Sequence, residues 1–392
     1  MQLTIEKLIP GGQGIGTLED SKKIFLWNAL PDEIVADFET IKQKSHYLEG
    51  IATRIEQPSK HRIDPKDPCF LSTSPWQILD FSYELTEKRN LVIESLHQEH
   101  ILIPEEVAVE PTKTDGREWL YRNKMEYALY WDHSSERIKL AFHNRGSHGK
   151  FPIDKSSIER SEIFQKAQSI VDELNNKHDE ARRYQSLLLR TNQAGEVSGG
   201  LFENRKPHPA FKNLKDTILG QEYSYSPNGF FQINLPVYEL ALQEIAKHIK
   251  TDKVLDLYSG VGTIGLSVAR DKELTLVESD GAAYKELVAN CSDTNARPIL
   301  AKSEDALEYI APDLTVILDP PRAGCDKKLI EKLQVEVPEK LIYLSCNPST
   351  QARDIKLLEG EYNIERIVPF DFFPRTPHIE NLIVLRRKDS VL

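Results

Sequence analysis

From about residue 235 to its end the chain alternates helical segments with short, continuously apolar ones, and this alternation restricts the fold more than any other feature. VYELALQEIAKHI has helical spacing, KVLDLY reads as a strand, TIGLSVAR as a helix, ELTLVES as a strand, AAYKELVANCSDT as a helix, and TVILDPP and KLIYLSC as further strands. Apolar runs of this length belong to strands covered on both faces, and strands separated by helices pair in parallel through crossovers. The segment therefore predicts a doubly wound, Rossmann-like α/β domain.

Ligands of such sheets bind at the carboxyl ends of the strands, so those ends carry the signals of a ligand. The first strand runs into Asp256-Leu257-Tyr258-Ser259-Gly260-Val261-Gly262-Thr263-Ile264-Gly265, and the second ends at Val277-Glu278. Glycines at a strand-to-helix turn let the backbone approach a ligand, and an acid at the end of the next strand can accept hydrogen bonds from ribose hydroxyls. A nucleoside cofactor is implied. The spacing favours S-adenosylmethionine over a dinucleotide, yet Gly265 also suits the dinucleotide pattern, and an ordinary tight turn would give a similar string. The fourth strand breaks the tie. It ends in Asp319-Pro320-Pro321, and because two prolines cannot extend a central strand they form a rigid rim beside the cofactor. Methyltransferases acting on the amino group of adenine carry an aromatic residue after the prolines, whereas this chain has Arg322.

Upstream the texture differs. Residues 1 to 58 are short alternating and β-branched runs broken by Gly11, Gly12, Gly14 and Gly16, which predicts a small β-barrel. Gln57-Pro58-Ser59-Lys60-His61-Arg62, with Pro65 and Pro68, reads as a linker. Leu85, Val92, Ile93 and Leu96 lie at helical spacing within 80–97, and from 119 to 205 paired strands flank a helix over 160–178, an α+β pattern. Three parts suit 392 residues at roughly 150 per domain. Four cysteines, at 69, 291, 325 and 346 with no CxxC spacing, exclude a disulfide scaffold or a cysteine-rich zinc module. A net charge of −11 argues against a general nucleic-acid coat protein but leaves room for a local basic groove. With no secretory signal pattern and no apolar run near ~18 residues, no membrane span is expected and the cytoplasm is the expected location.

Two more stretches carry the functional reading: Leu341-Ile342-Tyr343-Leu344-Ser345-Cys346-Asn347-Pro348-Ser349-Thr350, and Phe370-Asp371-Phe372-Phe373-Pro374-Arg375-Thr376-Pro377-His378-Ile379-Glu380. Together with Asp319-Pro320-Pro321-Arg322 they closely resemble the signatures of the RNA uridine-C5 methyltransferases. The resemblance extends to Phe230-Phe231-Gln232-Ile233-Asn234, to Arg122-Asn123-Lys124 and to the N-terminal barrel, which looks like the OB-like RNA-binding module called TRAM, so it covers almost the whole chain. It implies a TRAM-like barrel over 1–58, a middle RNA-binding domain over 59–215 whose helix 80–97 packs on the catalytic domain, and a methyltransferase domain over 216–392.

The chemistry agrees with the resemblance. Carbon 5 of uracil is a poor nucleophile until a thiolate adds at carbon 6, and after methylation a base must remove the carbon-5 proton before the thiolate can leave. Cys346, at a strand end, is the best-placed thiol, and the resemblance makes Glu380 the base. By position it also puts Gln232, Tyr258, Gly260, Gly262, Thr263, Glu278, Asp305 and Asp319 at S-adenosylmethionine, and Arg122, Lys124, Gln232 and Asp319 at the RNA. Duller readings exist: Cys346 as core, Glu380 as a solvated strand start, Asp305 as a helix cap, and His378 as either an orienting group or a turn cap.

The chain also departs from the family. Many relatives hold an iron–sulfur cluster with a Cys-x5-Cys-x2-Cys pattern, but here the matching stretch has Cys69 alone and the region of the fourth ligand reads Lys155-Ser156-Ser157-Ile158. One thiolate cannot hold a cluster that needs four, so no cluster is expected. Ser259 and Arg375 replace a usual cysteine and a usual Gln or His. The expected activity is methylation of a specific uridine of structured RNA by a monomer, with ribosomal RNA favoured over the transfer-RNA T-loop. The alternatives are an RNA cytosine-C5 methyltransferase, which Asp319-Pro320-Pro321-Arg322 disfavours, and a non-catalytic RNA-binding or RNA-folding protein that keeps the cofactor fold.

Overall fold

The computed structural model describes residues 2–147, 149–177, 183–203, 206–208 and 211–389. The N-terminal strands β1 (Leu3–Leu8), β2 (Gly14–Thr17), β3 (Lys23–Trp27), β4 (Ile34–Gln43) and β5 (Tyr47–Gln57) close into a barrel, with β1 pairing β4 at Leu3 and Val35. Alternation points Leu3, Ile5, Ile24, Leu26, Val35 and Ala52 inward, where they form the barrel's own core. After a short helix α1 (Phe70–Thr73), helix α2 (Phe81–Gln98) starts on an Asp80 cap that accepts from the Tyr83 amide.

The middle part is a six-stranded antiparallel sheet of β6 (Lys124–Asp132), β7 (Arg137–His143), β8 (Lys150–Pro152), β9 (Ser186–Thr191), β10 (Val197–Glu203) and β11 (Lys206–His208), in the order β11-β10-β9-β6-β7-β8. Helix α3 (Ser161–Asn175) packs on it through Ile163, Ala167, Val171 and Leu174. The end of the helix expected over 160–178 reaches residue 178, which lies outside the described residues.

A hairpin of β12 (Leu214–Ile218) and β13 (Gln221–Tyr225) leads into α4 (Leu235–His248). Then β14 (Lys253–Leu257), α5 (Thr263–Val268), β15 (Glu273–Glu278), α6 (Gly281–Asn290), β16 (Arg297–Leu300), β17 (Leu314–Leu318), α7 (Lys327–Glu336), β18 (Lys340–Ser345), α8 (Pro348–Leu358), β19 (Tyr362–Phe370) and β20 (Glu380–Arg387) follow. Seven strands form one sheet in the order β16-β15-β14-β17-β18-β20-β19, parallel except that β20 runs antiparallel to both neighbours. The hairpin and α4 to α6 cover one face, and α7, α8 and α2 cover the other. The helix expected over 80–97 lies on the seven-stranded sheet, its Val92 and Leu96 packed with residues of β17, β18 and α8. The strand order reverses between β14 and β17, the point at which such sheets open a crevice.

Candidate active site

Sheet register brings the two reacting side chains together. Cys346 follows the last residue of β18, and Glu380 is the first residue of β20, which is antiparallel to it with Ser345 opposite Asn381. An antiparallel strand starts where its neighbour ends, so residues 34 positions apart share one edge. Asp319 joins them, because β17 pairs in parallel with β18 through Leu318 and Tyr343. All three line a cavity of about 730 Å³ at the carboxyl edge of the sheet.

The cavity has two ends. Tyr258, Gly260 and Glu278 line one, at the tips of β14 and β15. The Glu278 carboxylate accepts from the Gly260 amide at 2.8 Å and from the Asp280 amide at 2.5 Å, and Asp256 holds the turn by accepting from the Gly265 amide at 2.8 Å. Gly260 has φ +57° and a Cβ there would meet nothing within 4 Å, so its backbone is open to a ligand. This acid, the bare glycine turn and the volume fit a nucleoside cofactor. Cys346, Arg322, Phe373, His378 and Glu380 line the other end.

Burial governs the charges there. It pushes the Cys346 thiol up to about 11, assisted by the Glu380 and Asp319 carboxyls and opposed by the Arg322 guanidinium. Burial raises Asp319 to about 7, and burial with the Asp319 carboxyl raises Glu380 well above the usual carboxylate range, again against Arg322. Burial and the Arg322 charge lower His378 to about 4, so its ring is neutral and Nδ1 accepts from Arg322 Nη2 at 3.2 Å. Arg322 is therefore the cation among these acids, and the Asn347 amide and Thr350 hydroxyl hold its backbone carbonyl at 2.9 and 3.1 Å.

The loop bearing His378 and Glu380 is tied down from three sides. Lys88 of α2 donates to Asp371 at 2.5 Å and to the Phe373 carbonyl at 3.1 Å, while Tyr121 donates to the Pro374 carbonyl at 2.9 Å. Arg375, fully buried, reaches Glu84 at 3.2 Å and the Gln77 and Leu79 carbonyls. From the barrel, Gly12 lies so close to Pro377 that an added Cβ would stand 2.5 Å from it.

Of the residues expected at the cofactor, Gln232, Tyr258, Gly260, Glu278 and Asp319 line the cavity. Three stand apart. Gly262 has φ +89° and packs on Leu287 and Leu266, the Thr263 hydroxyl is spent on Tyr238 at 2.8 Å, and Asp305 is exposed at the end of a single helical turn. These glycine and threonine positions shape the turn from behind. Arg122 and Lys124 are also engaged internally: Arg122 Nε donates to the Lys124 carbonyl, and Lys124 Nζ to the carbonyls of Asn228 and Gly229 on the cavity rim. Arg62 and Arg375 pair with buried Glu33 and Glu84 and are likewise engaged internally. Sequence reasoning quoted Arg322, Phe373 and Phe230 within its motifs but gave them no role, although all three line the cavity and Phe230 is 74% exposed.

Cys69 is buried with Met125, Tyr127 and Ile163, and among the described residues no three His, Cys, Asp or Glu side chains are grouped to hold a metal ion. Around it, Gln77 donates to Asp67 and the Asp67 carboxylate accepts from Ser157, so hydrogen bonds join the linker to the middle sheet.

Residues 306–388 match the family model described as tRNA (Uracil-5-)-methyltransferase, a span that contains Asp319, Arg322, Cys346 and Glu380. That span carries the signature stretches of the RNA uracil-C5 methyltransferase family. Such an enzyme uses S-adenosylmethionine to methylate carbon 5 of uridine in RNA. Its curated relatives include RNA methyltransferases of Bacillus cereus, 28% identical over 98% of this chain and 96% of that one, and of Lactobacillus johnsonii, 29% identical over 100% and 99%. A similar fold is that of the Pyrococcus abyssi tRNA (uracil-54, C5)-methyltransferase in complex with S-adenosyl-L-homocysteine, with TM-score 0.76 and 24% identity over 98% of this chain and 99% of that one. No helix among the described residues is long and apolar enough to cross a membrane.

Proposed function

We propose that the enzyme methylates a uridine of transfer RNA, with Cys346 as nucleophile and Glu380 as base. The observation that carries these roles is the meeting of thiol and carboxyl at one sheet edge, in a cavity that also holds Asp319 and Arg322. Support for transfer RNA comes from the description of the matched family and from the Pyrococcus abyssi enzyme of similar fold, and it displaces the initial preference for ribosomal RNA.

Cys346 loses its proton to solvent, with the Arg322 charge favouring the thiolate, and its sulfur forms a bond to carbon 6 of the flipped base. The π electrons of the 5,6 bond move onto the O4 side as an enolate, which makes carbon 5 nucleophilic. Glu278, Tyr258 and Gly260 would hold S-adenosylmethionine, which would supply the methyl group to carbon 5, its sulfur retaining the electron pair of the broken bond. Glu380 gives up its own proton to solvent before this step and, as the carboxylate, takes the carbon-5 proton. Its high proton affinity in the buried site makes it an effective acceptor. The electrons of that C–H bond restore the 5,6 double bond, and the sulfur leaves as thiolate.

RNA carrying 5-fluorouridine at the target tests the roles, since fluorine cannot leave as a proton. The enzyme should form a band stable in a denaturing gel, and Cys346→Ala should form none. An undiminished band from that variant would overturn the nucleophile. For the substrate, mass spectrometry of 5-methyluridine in cells with and without the gene should show loss from transfer RNA; a loss confined to ribosomal RNA would overturn that part.

A further inference from the structure

A second cavity, of about 470 Å³, lies behind the segment that carries Gln232, between the middle sheet and the start of α4. Its lining is mixed in a way that suits one class of ligand. Leu120, 53% exposed, together with Ile233 and Leu235, forms an apolar wall. Arg117, half-exposed, and Arg160 bring positive charge. Ser161 and Glu162 open α3, Leu235 and Pro236 open α4, and neither N-cap residue caps its helix with its side chain, although the Glu162 carboxylate in the first turn of α3 offsets part of the positive charge of that end.

The independent sign of a ligand is Asn123. It lines this cavity and is 4% exposed, and its Nδ2 is fixed by donation to the Gln232 carbonyl at 3.1 Å. That orientation leaves Oδ1 as a buried acceptor without a partner. A buried acceptor beside an apolar wall asks for an N–H group on a flat, largely apolar body, and arginines with helix N-termini ask for an anion. Each arginine also holds a carboxylate, Arg160 that of Glu162 at 2.8 Å and Arg117 that of Asp115 at 2.6 Å, and Arg117, with its side chain 52% exposed against 23% for Arg160, is the more open to an incoming anion.

We propose that this cavity receives a second nucleotide of the RNA substrate, turned out of the strand near the target uridine. Its base lies against Leu120 and Ile233 with an exocyclic amino group on Asn123 Oδ1, and its phosphate lies at Arg117 and the α3 terminus. The assignment rests on the RNA-methylating role above. It also gives the segment 231–234 two tasks, since Gln232 faces the target-base cavity and Ile233 faces this one.

Two variants away from the active site test it. Ser161→Trp fills the cavity mouth, and Arg117→Ala removes the phosphate contact. With a transfer-RNA T-arm hairpin, both should raise Kd and KM for RNA about tenfold, with kcat at saturating RNA and affinity for S-adenosylmethionine unchanged. A series of hairpins with one abasic nucleotide each, away from the target, should contain a position that weakens wild-type binding about tenfold and does not further weaken Ser161→Trp. Variants that bind and methylate like the wild type, or an abasic series with no such position, would overturn the proposal. So would adenosine monophosphate binding that Ser161→Trp abolishes beside a flat abasic series, which would mark a free-nucleotide site. The wild type's own yield of 5-methyluridine tests the enzymatic reading separately, so normal methylation with unaffected variants counts against this cavity alone.

Discussion

A thiol held near a pKa of 11 is ionised at neutral pH in only about one molecule in ten thousand, so the resting Cys346 is a weak nucleophile. The sign of its pH dependence follows. Raising the pH from 7 to 10 should increase alkylation of Cys346 by iodoacetamide about tenfold per unit, since only the thiolate reacts. Cys69, Cys291 and Cys325 are buried, which lets peptide mass spectrometry follow Cys346 alone. Glu380→Gln removes a neighbouring acid and should speed the reaction, whereas Arg322→Ala should slow it; a rate flat in pH and indifferent to both would refute this electrostatic picture. Glu380→Gln also separates the catalytic roles. With labelled S-adenosylmethionine it should accumulate a labelled protein–RNA band with little free product, because the methyl group moves but the carbon-5 proton does not leave. Loss of RNA affinity with no such band would make Glu380 a binding residue instead. Cys346 and Glu380 were legible because short motifs surround them. Arg322 was quoted but given no role, since its placement between His378 and the acids depends on three strands meeting at one edge.

Helix α2 shows how far periodicity reaches at the scale of elements. Apolar spacing predicts a helix over 80–97, and the structure has it at Phe81–Gln98. Spacing cannot reveal that Glu84 and Lys88, charged and apparently solvent-facing, are fully buried against Asp371 and Arg375 of the motif loop. Burial of a charge depends on partners distant in sequence, for Arg375 and Glu84 291 residues apart. Removing one member of such a cluster strands the rest in a medium that solvates them poorly. Arg375→Ala should therefore cost about 3–5 kcal/mol in chemical denaturation, and the double change Glu84→Gln with Arg375→Gln should cost less than the sum of its single changes. Additive costs would show that the two groups do not stabilise each other.

Across the whole molecule, changes of sequence texture mark a barrel, a mixed α+β segment and an alternating α/β segment, but do not reveal how these couple. Carbonyls of the cavity rim turn toward the middle sheet and meet donors from it: Lys124 bonds Asn228 and Gly229, Asn123 bonds Gln232, and Arg190 of β9 bonds Gly229 and Phe231. Arg190 is fully buried, with its guanidinium 5.1 Å from the centre of the Tyr225 ring and 5.5 Å from that of Phe231. A buried guanidinium is a costly way to hold a loop unless the loop must be held in one place, and this loop carries Phe230 and Gln232 into the cofactor cavity. The middle sheet should accordingly set affinity for S-adenosylmethionine even without RNA. Arg190→Met, which keeps much of the side chain's volume and removes its donors, should raise the Kd of S-adenosylmethionine about tenfold in calorimetry on the RNA-free protein. Arg190→Lys, retaining a charge but not the fork, should fall between the two. Unchanged cofactor affinity in a folded Arg190→Met protein would mean that the rim keeps its shape by itself and that the two bodies touch without coupling.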